Sequence, residues 1–156
     1  MIIAIDGPSA SGKSTTAKGV SKRLGFTHLD TGAMYRAVTF GINKSNIRLS
    51  NHNKVNDYLK RLKINFDNNN HICLNGDDVS NIIRTVDISS KVSMISAIPE
   101  VRNKMVEIQR SIAGDNDCVL EGRDIGTVVF PDAKYKFFLI ADIIVRAKRR
   151  FSELKD

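Results

Sequence analysis

The first seventeen residues constrain this chain more than any other segment. An apolar run of strand length, residues 2–5, leads directly into Gly-Pro-Ser-Ala-Ser-Gly-Lys-Ser at residues 7–14. This octet follows the pattern G-x-x-x-x-G-K-S, and a helical sequence comes next, as the pattern requires. The alternative interpretation is a glycine-rich turn that only caps a helix. The complete octet in this setting favours a phosphate-binding loop.

Each residue type in the octet has a physical reason. Gly7 and Gly12 let the backbone curl, so that successive N–H groups point inward toward phosphate oxygens. The helix that starts near Lys13 adds the positive end of its dipole. The Lys13 ammonium supplies a charge for the β- and γ-phosphates. The Ser14 hydroxyl is the expected protein ligand of Mg²⁺, a cation that keeps most of its water.

The charge balance is consistent with a pocket of this kind. The chain has 24 Lys+Arg against 17 Asp+Glu, a formal net charge of +7. Nucleic-acid binding is one explanation for this excess, and a pocket that holds several phosphates is another. Because the sequence has no aromatic RNA-binding motif and no long basic run, the pocket is favoured. At 156 residues and 42% hydrophobic content, the chain suits one domain with its own core.

The cysteines and apolar runs bear on where the protein resides. Cys73 and Cys118 are far apart and lack the spacing of metal ligands. They predict reduced core thiols rather than a disulfide framework, and hence a cytoplasmic protein. No apolar run reaches membrane-spanning length, and Met1 leads directly into a strand, so neither a membrane span nor a signal peptide is expected.

A βαβ unit follows the loop. Apolar residues recur on one helical face up to Gly25, which ends the helix, and residues 26–29 predict a second strand. Thr31 and Arg36 come just after that strand. Ligands bind beyond the carboxyl ends of parallel strands, so both residues are placed to contact a second substrate opposite the loop. Taken alone, Arg36 would be interpreted as a solvated helix charge.

Residues 41–85 do not continue the alternation of strands and helices, and they predict a small antiparallel insert. Asn75-Gly76 is a strong hairpin signal, and the asparagine cluster around Asn68 predicts a turn. The predicted elements are an amphipathic helix at 55–62 and strand-like runs at 63–66, at 71–74 and around Asp78. The core domain is accordingly expected to comprise residues 1–40 and 86–156.

Two further helices are predicted before the next strand. Apolar stripes at residues 88–95 and 101–112 predict core-facing helices, and Pro99 suits the first turn of the second one. Ser93 and Arg102 lie off these stripes, so they are available to face a ligand. By themselves they are more typical of ordinary surface residues. The three histidines are scattered and predict no metal site.

A third buried strand, at residues 118–120, ends in Glu-Gly-Arg-Asp-Ile-Gly-Thr. The planar guanidinium of Arg123 can bridge two phosphate groups. The Asp124 carboxylate can orient Arg123 or accept a hydrogen bond from a substrate amino group. A buried structural ion pair is the alternative. A fourth strand at 135–140 and a basic helix capped by Asp142 complete the predicted order.

Taken together, these motifs resemble those of bacterial cytidylate kinases, in the P-loop nucleoside-monophosphate kinase family. The resemblance runs from Met1 to Asp156. It is carried by DGPSASGKS at 6–14, LDTGAMYR at 29–36, IRT at 83–85 and EGRDIGTVVFPDA at 121–133. The first segment alone indicates only an NTPase or kinase, whereas the second and the last are much more specific.

The resemblance implies an α/β fold, a P-loop-type parallel sheet of five strands with flanking helices and a monophosphate-binding insert. It also implies transfer of the γ-phosphoryl group of ATP to CMP or dCMP, with Mg²⁺ as cofactor. The expected partners are therefore small-molecule nucleotides, with no nucleic acid and no membrane, and a monomer is expected.

The resemblance also implies a set of site residues. The expected ATP-binding residues are Gly7, Pro8, Ser9, Ala10, Ser11, Gly12, Lys13, Ser14 and Thr15. For CMP, Thr31, Arg36 and Arg123 would hold the acceptor phosphate, and Ser93, Arg102 and Asp124 would contact the cytosine edge. The catalytic residues would be Lys13, Arg36 and Arg123, and the metal ligand would be Ser14.

Members of this family continue past the basic helix into a mobile lid and a last sheet strand. This sequence ends at Asp156, so both are expected to be absent. A nucleotide-binding module without catalysis is therefore one alternative. Another P-loop kinase, acting on adenylate, thymidylate or a non-nucleotide alcohol, is a second.

Overall fold

The computed structural model of the chain describes residues 1–67 and 69–153. The predicted turn at Asn68 and the last three positions, 154–156, lie outside the described residues. The chain forms two compact units. Unit 1 comprises Met1–Thr31 together with the chain from Ala113 onward, and unit 2 comprises Gly32–Ile112.

Unit 1 is built on a four-stranded sheet in which every pairing is parallel. Its strands are β1 (Ile2–Asp6), β2 (Thr27–Asp30), β6 (Cys118–Gly122) and β7 (Tyr135–Phe138), in the spatial order β2-β6-β1-β7. Strand β6 is buried along its whole length, as its apolar sequence predicts for a central parallel strand. The predicted α/β class with a parallel sheet is confirmed.

Helix α1 (Lys13–Leu24) packs on this sheet. Ala17 joins Ile3, Ile5 and Val119 in a small buried cluster. The helix begins after Gly12 and ends at Gly25, and both glycines have left-handed backbone angles, with φ of 96° and 69°. Only glycine adopts these angles without strain, so the sequence itself sets both ends of the helix.

The other elements of unit 1 follow β6. A single π-helical turn spans Ile125–Val129, and after β7 comes α6 (Ile143–Glu153). The carboxylate of Asp142 accepts the N–H of Ile144 at 2.8 Å, as expected of a helix-capping residue. The fourth strand is shorter than predicted: it ends at Phe138 rather than at residue 140.

Unit 2 is mostly helical and contains the larger apolar core. Its helices are α2 (Thr31–Lys44, whose first residue belongs to unit 1), α3 (His52–Arg61), α4 (Val86–Ser96) and α5 (Pro99–Ala113, whose last residue also belongs to unit 1), with one 3₁₀ turn at Ile82–Arg84. The core is a continuous cluster in which Met34, Val38, Ile83, Val101 and Met105 are fully buried. The predicted stripes at 88–95 and 101–112 supply part of it.

A three-stranded antiparallel sheet lies within unit 2. It consists of β3 (Ile64–Phe66), β4 (Ile72–Leu74) and β5 (Asp77–Asp78). At the predicted hairpin, Asn75 and Gly76 have positive φ of 52° and 97°, which is the geometry that an Asn-Gly turn favours. The antiparallel insert is therefore confirmed as a structural element. The domain bounds 1–40, 41–85 and 86–156 stay a prediction.

Two smaller observations complete the fold. Both cysteines are free thiols, and Cys118 is buried as predicted, whereas the predicted core position of Cys73 is wrong because it is only half-buried. Among residues 1–67 and 69–153, none of the helices combines the length and apolarity needed to cross a bilayer.

Candidate functional site

The loop between β1 and α1 has the tight geometry that its sequence predicts. A Cβ atom at position 7 would overlap the carbonyl oxygen of Leu139, so only glycine fits there. Ala10 takes a left-handed φ of 57°. The N–H of Ser11 donates to the Pro8 carbonyl at 3.4 Å, and Lys13 Nζ donates to the same oxygen at 3.2 Å. The lysine ammonium therefore lies over the loop that begins its own helix.

Two arginines of α6 contact the same loop. Arg146 Nε donates to the Ser9 carbonyl at 2.9 Å, and Arg149 Nη1 donates to the Ala10 carbonyl at 3.1 Å. These bonds satisfy carbonyl oxygens of the loop and place two guanidinium groups at its rim. The predicted basic helix thus lies where an anion bound in the loop would meet it.

A buried carboxylate that the sequence analysis did not single out lies beside the loop. Glu121, at the end of β6, is 2% exposed, and its Oε2 accepts a hydrogen bond from the Ser14 hydroxyl. Its Oε1 lies 3.0 Å from Nε2 of His28 on β2. Glu121 could have been found from the sequence, because it is a charged residue directly after an apolar run, at the edge of a parallel sheet where ligands bind.

The same carboxylate bears on the expected Mg²⁺. A hydroxyl has one proton and two lone pairs, and Ser14 donates its proton to Glu121, so its lone pairs are left for a cation. Within the described residues, no three His, Cys, Asp or Glu side chains cluster as metal ligands. Mg²⁺ does not require such a cluster, because it binds one or two protein oxygens together with phosphate and water. The Ser14–Glu121 pair fits that need.

The segment after β6 forms a tight corner. The Asp6 carboxylate accepts the N–H groups of Ile125 and Gly126, at 2.9 and 2.8 Å. A Cβ atom at Gly122 would lie 2.7 Å from the Ile125 side chain and 2.8 Å from Thr31 Oγ1, so this position is restricted to glycine. The Thr31 hydroxyl donates to the Glu121 carbonyl at 2.7 Å. The corner is thus held by buried polar groups.

Arg123 extends from this corner back to the phosphate-binding loop. Its Nη1 donates to the Gly7 carbonyl at 2.8 Å. Partial burial lowers the pKa of this guanidinium, and the nearby charge of Arg146 lowers it further. Two like charges held close together favour an anion between them. Asp124 is half-buried beside Arg123.

The predicted site residues therefore divide between the two units. Unit 1 brings together the loop residues 7–15, Thr31, Arg123 and Asp124. Unit 2 carries the other three: Arg36 is half-buried on α2, Ser93 is exposed on α4, and Arg102 is half-buried on α5.

Comparison with known proteins identifies the family of this chain. The sequence model of the family described as cytidylate kinase matches residues 3–156. A cytidylate kinase from Caldanaerobacter subterraneus subsp. tengcongensis is 51% identical over 99% of this chain and 68% of its own length. Those from Clostridioides difficile and Lactobacillus gasseri are 48% and 45% identical, over 99% and 100% of this chain and 71% and 69% of their own lengths. The chain belongs to the cytidylate kinase family.

Proposed function

We propose that this protein transfers the γ-phosphoryl group of ATP to CMP or dCMP, giving ADP and CDP or dCDP. The names of its relatives support the reaction and the acceptor. One structural observation carries the proposal. The guanidinium of Arg123, which follows β6, lies 2.8 Å from the carbonyl of Gly7 in the phosphate-binding loop. A cation suited to an acceptor phosphate is thereby held against the loop suited to the donor phosphates.

The donor nucleotide binds at the loop. Backbone N–H groups within the loop and the positive end of α1 hold the phosphates, and Lys13 neutralises charge on the β- and γ-groups. The Ser14 hydroxyl and the Glu121 carboxylate would hold Mg²⁺, directly or through water. When bound, Mg²⁺ would supply a positive charge for the phosphate oxygens.

The acceptor phosphate is held by Thr31, Arg36 and Arg123. Two unit charges 4 Å apart repel by about 1 kcal/mol in water and by about 4 kcal/mol at the effective dielectric of a protein surface. Cations are therefore needed to bring two phosphates together. Lys13, Arg36 and Arg123 are the proposed catalytic residues because they neutralise the groups that react. Transfer is direct and in line, so the protein contributes positioning and electrostatic stabilisation.

The base is recognised by Ser93, Arg102 and Asp124. Cytosine carries an amino donor beside a ring nitrogen and a carbonyl, both of which accept hydrogen bonds. A carboxylate, a hydroxyl and a guanidinium together satisfy these groups. Uracil has a carbonyl in place of the amino group, which would leave the carboxylate facing another acceptor. Such a buried mismatch costs far more than a missing apolar contact.

The cysteines and the basic residues bear on the compartment and the partners of the protein. We place the protein in the cytoplasm, since both of its cysteines are free thiols. We expect it to act as a monomer. Its excess of basic residues is assigned to nucleotide phosphates rather than to nucleic acid, because Lys13, Arg123, Arg146 and Arg149 all lie at or beside the loop.

The reaction is tested by steady-state turnover with CMP, dCMP, UMP, AMP and dTMP as acceptors, with ATP and Mg²⁺ held constant. We expect kcat/KM to be highest for CMP and dCMP. A preference for AMP or dTMP would overturn the acceptor assignment. Calorimetric binding of ATP and CMP with no CDP formed would favour a nucleotide-binding module without catalysis.

The base contacts are tested by Arg102→Met. We expect KM for CMP to rise by about ten- to a hundredfold, because the charged hydrogen bond to the base is lost, while KM for ATP stays unchanged. Lys104→Met is the matched control, since Lys104 is a half-buried cation on the same helix whose ammonium pairs locally with Glu107 at 2.8 Å. Equal effects of the two variants on KM for CMP would refute the role of Arg102.

A further inference from the structure

His28 is a buried polar residue that the proposed reaction does not use. It lies on β2, is 8% exposed, and pairs in register with Val119 of β6. Glu121 lies two residues beyond Val119, so the side chains of His28 and Glu121 share one face of the sheet. This places His28 Nε2 at 3.0 Å from Glu121 Oε1.

The other contacts of this pair define the direction of the hydrogen bond. Within the described residues, His28 Nδ1 is buried and has no hydrogen-bond partner. The carboxylate oxygen can only accept, so Nε2 carries the proton and donates to Glu121. The second carboxylate oxygen, Oε2, accepts from Ser14. Among the residues that the structure describes, each oxygen of Glu121 therefore has one side-chain donor, His28 on one side and Ser14 on the other.

From this arrangement we infer that His28 is a positioning residue for the metal-facing pair Ser14–Glu121. The inference rests on the proposed function, in which that pair faces Mg²⁺ bound with ATP. Through Nε2, His28 fixes the rotation of the Glu121 carboxylate. The fixed carboxylate in turn fixes the direction of the Ser14 O–H bond, which decides where the lone pairs of Ser14 point. A residue behind the metal-facing groups thus sets the orientation of a metal ligand.

The inference predicts an effect on metal binding that a purely structural residue would not have. His28→Leu keeps the bulk of the side chain and removes the donor. His28→Gln keeps a donor nitrogen at the reach of Nε2 without the ring. We compare them with Ser21→Ala, which removes a buried hydroxyl in unit 1 that donates to the Lys18 carbonyl at 3.0 Å.

Two readouts are measured on the whole chain. The first is the dissociation constant of Mn²⁺ from the protein–ADP complex, obtained from the electron paramagnetic resonance signal of free Mn²⁺ with ADP equimolar to the protein and with the Mn²⁺ bound by ADP alone subtracted. The second is the Mg²⁺ concentration that gives half-maximal CDP formation. We expect His28→Leu to raise both by about tenfold, the lower end of the usual effect of losing an outer-shell partner. His28→Gln and Ser21→Ala should stay close to the wild type, and KM for CMP should not change in any of them.

The outcomes separate this inference from the function on which it rests. Glu121→Gln is measured in parallel. If it weakens Mn²⁺ binding while His28→Leu does not, the role of His28 is refuted and the proposed function stands. Equal weakening by His28→Leu and His28→Gln also refutes it, because the shape of the side chain would then matter rather than the donor. If the wild type forms no CDP at any Mg²⁺ concentration, both proposals fail.

Thermal melting shows whether each variant is folded. Should His28→Leu not fold, His28→Asn takes its place, because its amide is polar but too short to reach Oε1. His28→Asn is then expected to give the same tenfold weakening as His28→Leu. Wild-type Mn²⁺ affinity in a folded His28→Asn would overturn the inference.

Discussion

The two units bury very different kinds of side chain. Among the described residues, six buried polar or charged side chains belong to unit 1 and two belong to unit 2. Those of unit 1 are Asp6, Ser11, Ser21, His28, Thr31 and Glu121, and those of unit 2 are Thr39 and Gln109. Unit 2 instead has a continuous apolar cluster, whereas the cluster on the α1 side of the sheet in unit 1 contains only a few buried residues.

This difference indicates a division of roles. In unit 1, Asp6, Thr31 and Glu121 are each hydrogen-bonded to the corner after β6 or to the phosphate-binding loop, so burial there fixes the orientation of polar groups. Such networks are rigid when their members are satisfied. In unit 2, burial removes apolar surface from water, which is the main source of folding free energy. Substitutions in the phosphate-binding loop and the polar network of unit 1 should therefore alter rates, and substitutions in the apolar core of unit 2 should alter stability.

The largest expected effect is on the rate. Lys13→Met removes the charge over the loop while keeping the length of the side chain, and we expect kcat to fall by at least about 10³-fold. Steady-state turnover of ATP and CMP measures it. The control is Lys18→Met, on the exposed face of the same helix, which should be active. A Lys13→Met enzyme with unchanged kcat, or one with a much lower melting temperature, would contradict the division of roles.

The next effect is on stability. Met105 is fully buried in unit 2, and Met105→Ala leaves a cavity that we expect to cost about 2–5 kcal/mol of unfolding free energy. Urea denaturation measures this cost. Met94→Ala is the matched control, because Met94 lies on a helix of the same unit and is largely exposed; it should change stability little. The activity of folded Met105→Ala should match that of the wild type, and a loss of kcat would break the proposed separation.

The smallest effect concerns Tyr58 on α3 of unit 2. Its hydroxyl is buried, without a hydrogen-bond partner among the described residues, in a space that exists because residue 41 is glycine. Tyr58→Phe removes this unsatisfied group and should stabilise the protein by about 1 kcal/mol. Chemical denaturation at pH 7 measures the gain. A loss of stability would show that the hydroxyl has a partner.

Burial also makes the contribution of Tyr58 dependent on pH. It raises the pKa of this phenol from 10.0 to about 12. Because the phenol of the unfolded chain loses its proton at a lower pH, the contribution of Tyr58 to the unfolding free energy has its full value below pH 10. As the pH rises toward 12, the unfolding free energy falls by roughly 1.4 kcal/mol per pH unit for this one proton. The advantage of Tyr58→Phe over the wild type should therefore widen above pH 10. A constant difference would contradict the raised pKa.

The sequence predicts the local parts of this molecule well. The octet at 7–14 specifies the phosphate-binding loop, and Gly25 and the Asn75-Gly76 pair specify a helix end and a hairpin, because in each case the backbone angles depend on adjacent residues. The resemblance further predicts which residues hold ATP and CMP, and those assignments stay predictions.

Contacts between distant segments could not be predicted in the same way. Ser14 and Glu121 are 107 positions apart, and His28 and Glu121 are 93 apart. These contacts depend on the strand order β2-β6-β1-β7, which cannot be predicted from any local sequence pattern. For the same reason the burial of β7 could not be predicted from its sequence. Its residues are as apolar, yet all four are exposed, because burial depends on what covers a strand rather than on its composition.

The carboxylate of Asp6 has a consequence for anyone who wishes to transplant the Gly-Arg-Asp turn into another kinase. The turn takes its shape from two N–H groups held by a side chain 119 and 120 positions earlier. If the turn were inserted into a scaffold that has no acid at the matching end of its first strand, these two N–H groups would lose their acceptor and the turn would lose its shape. A successful graft has to transfer the acid together with the turn.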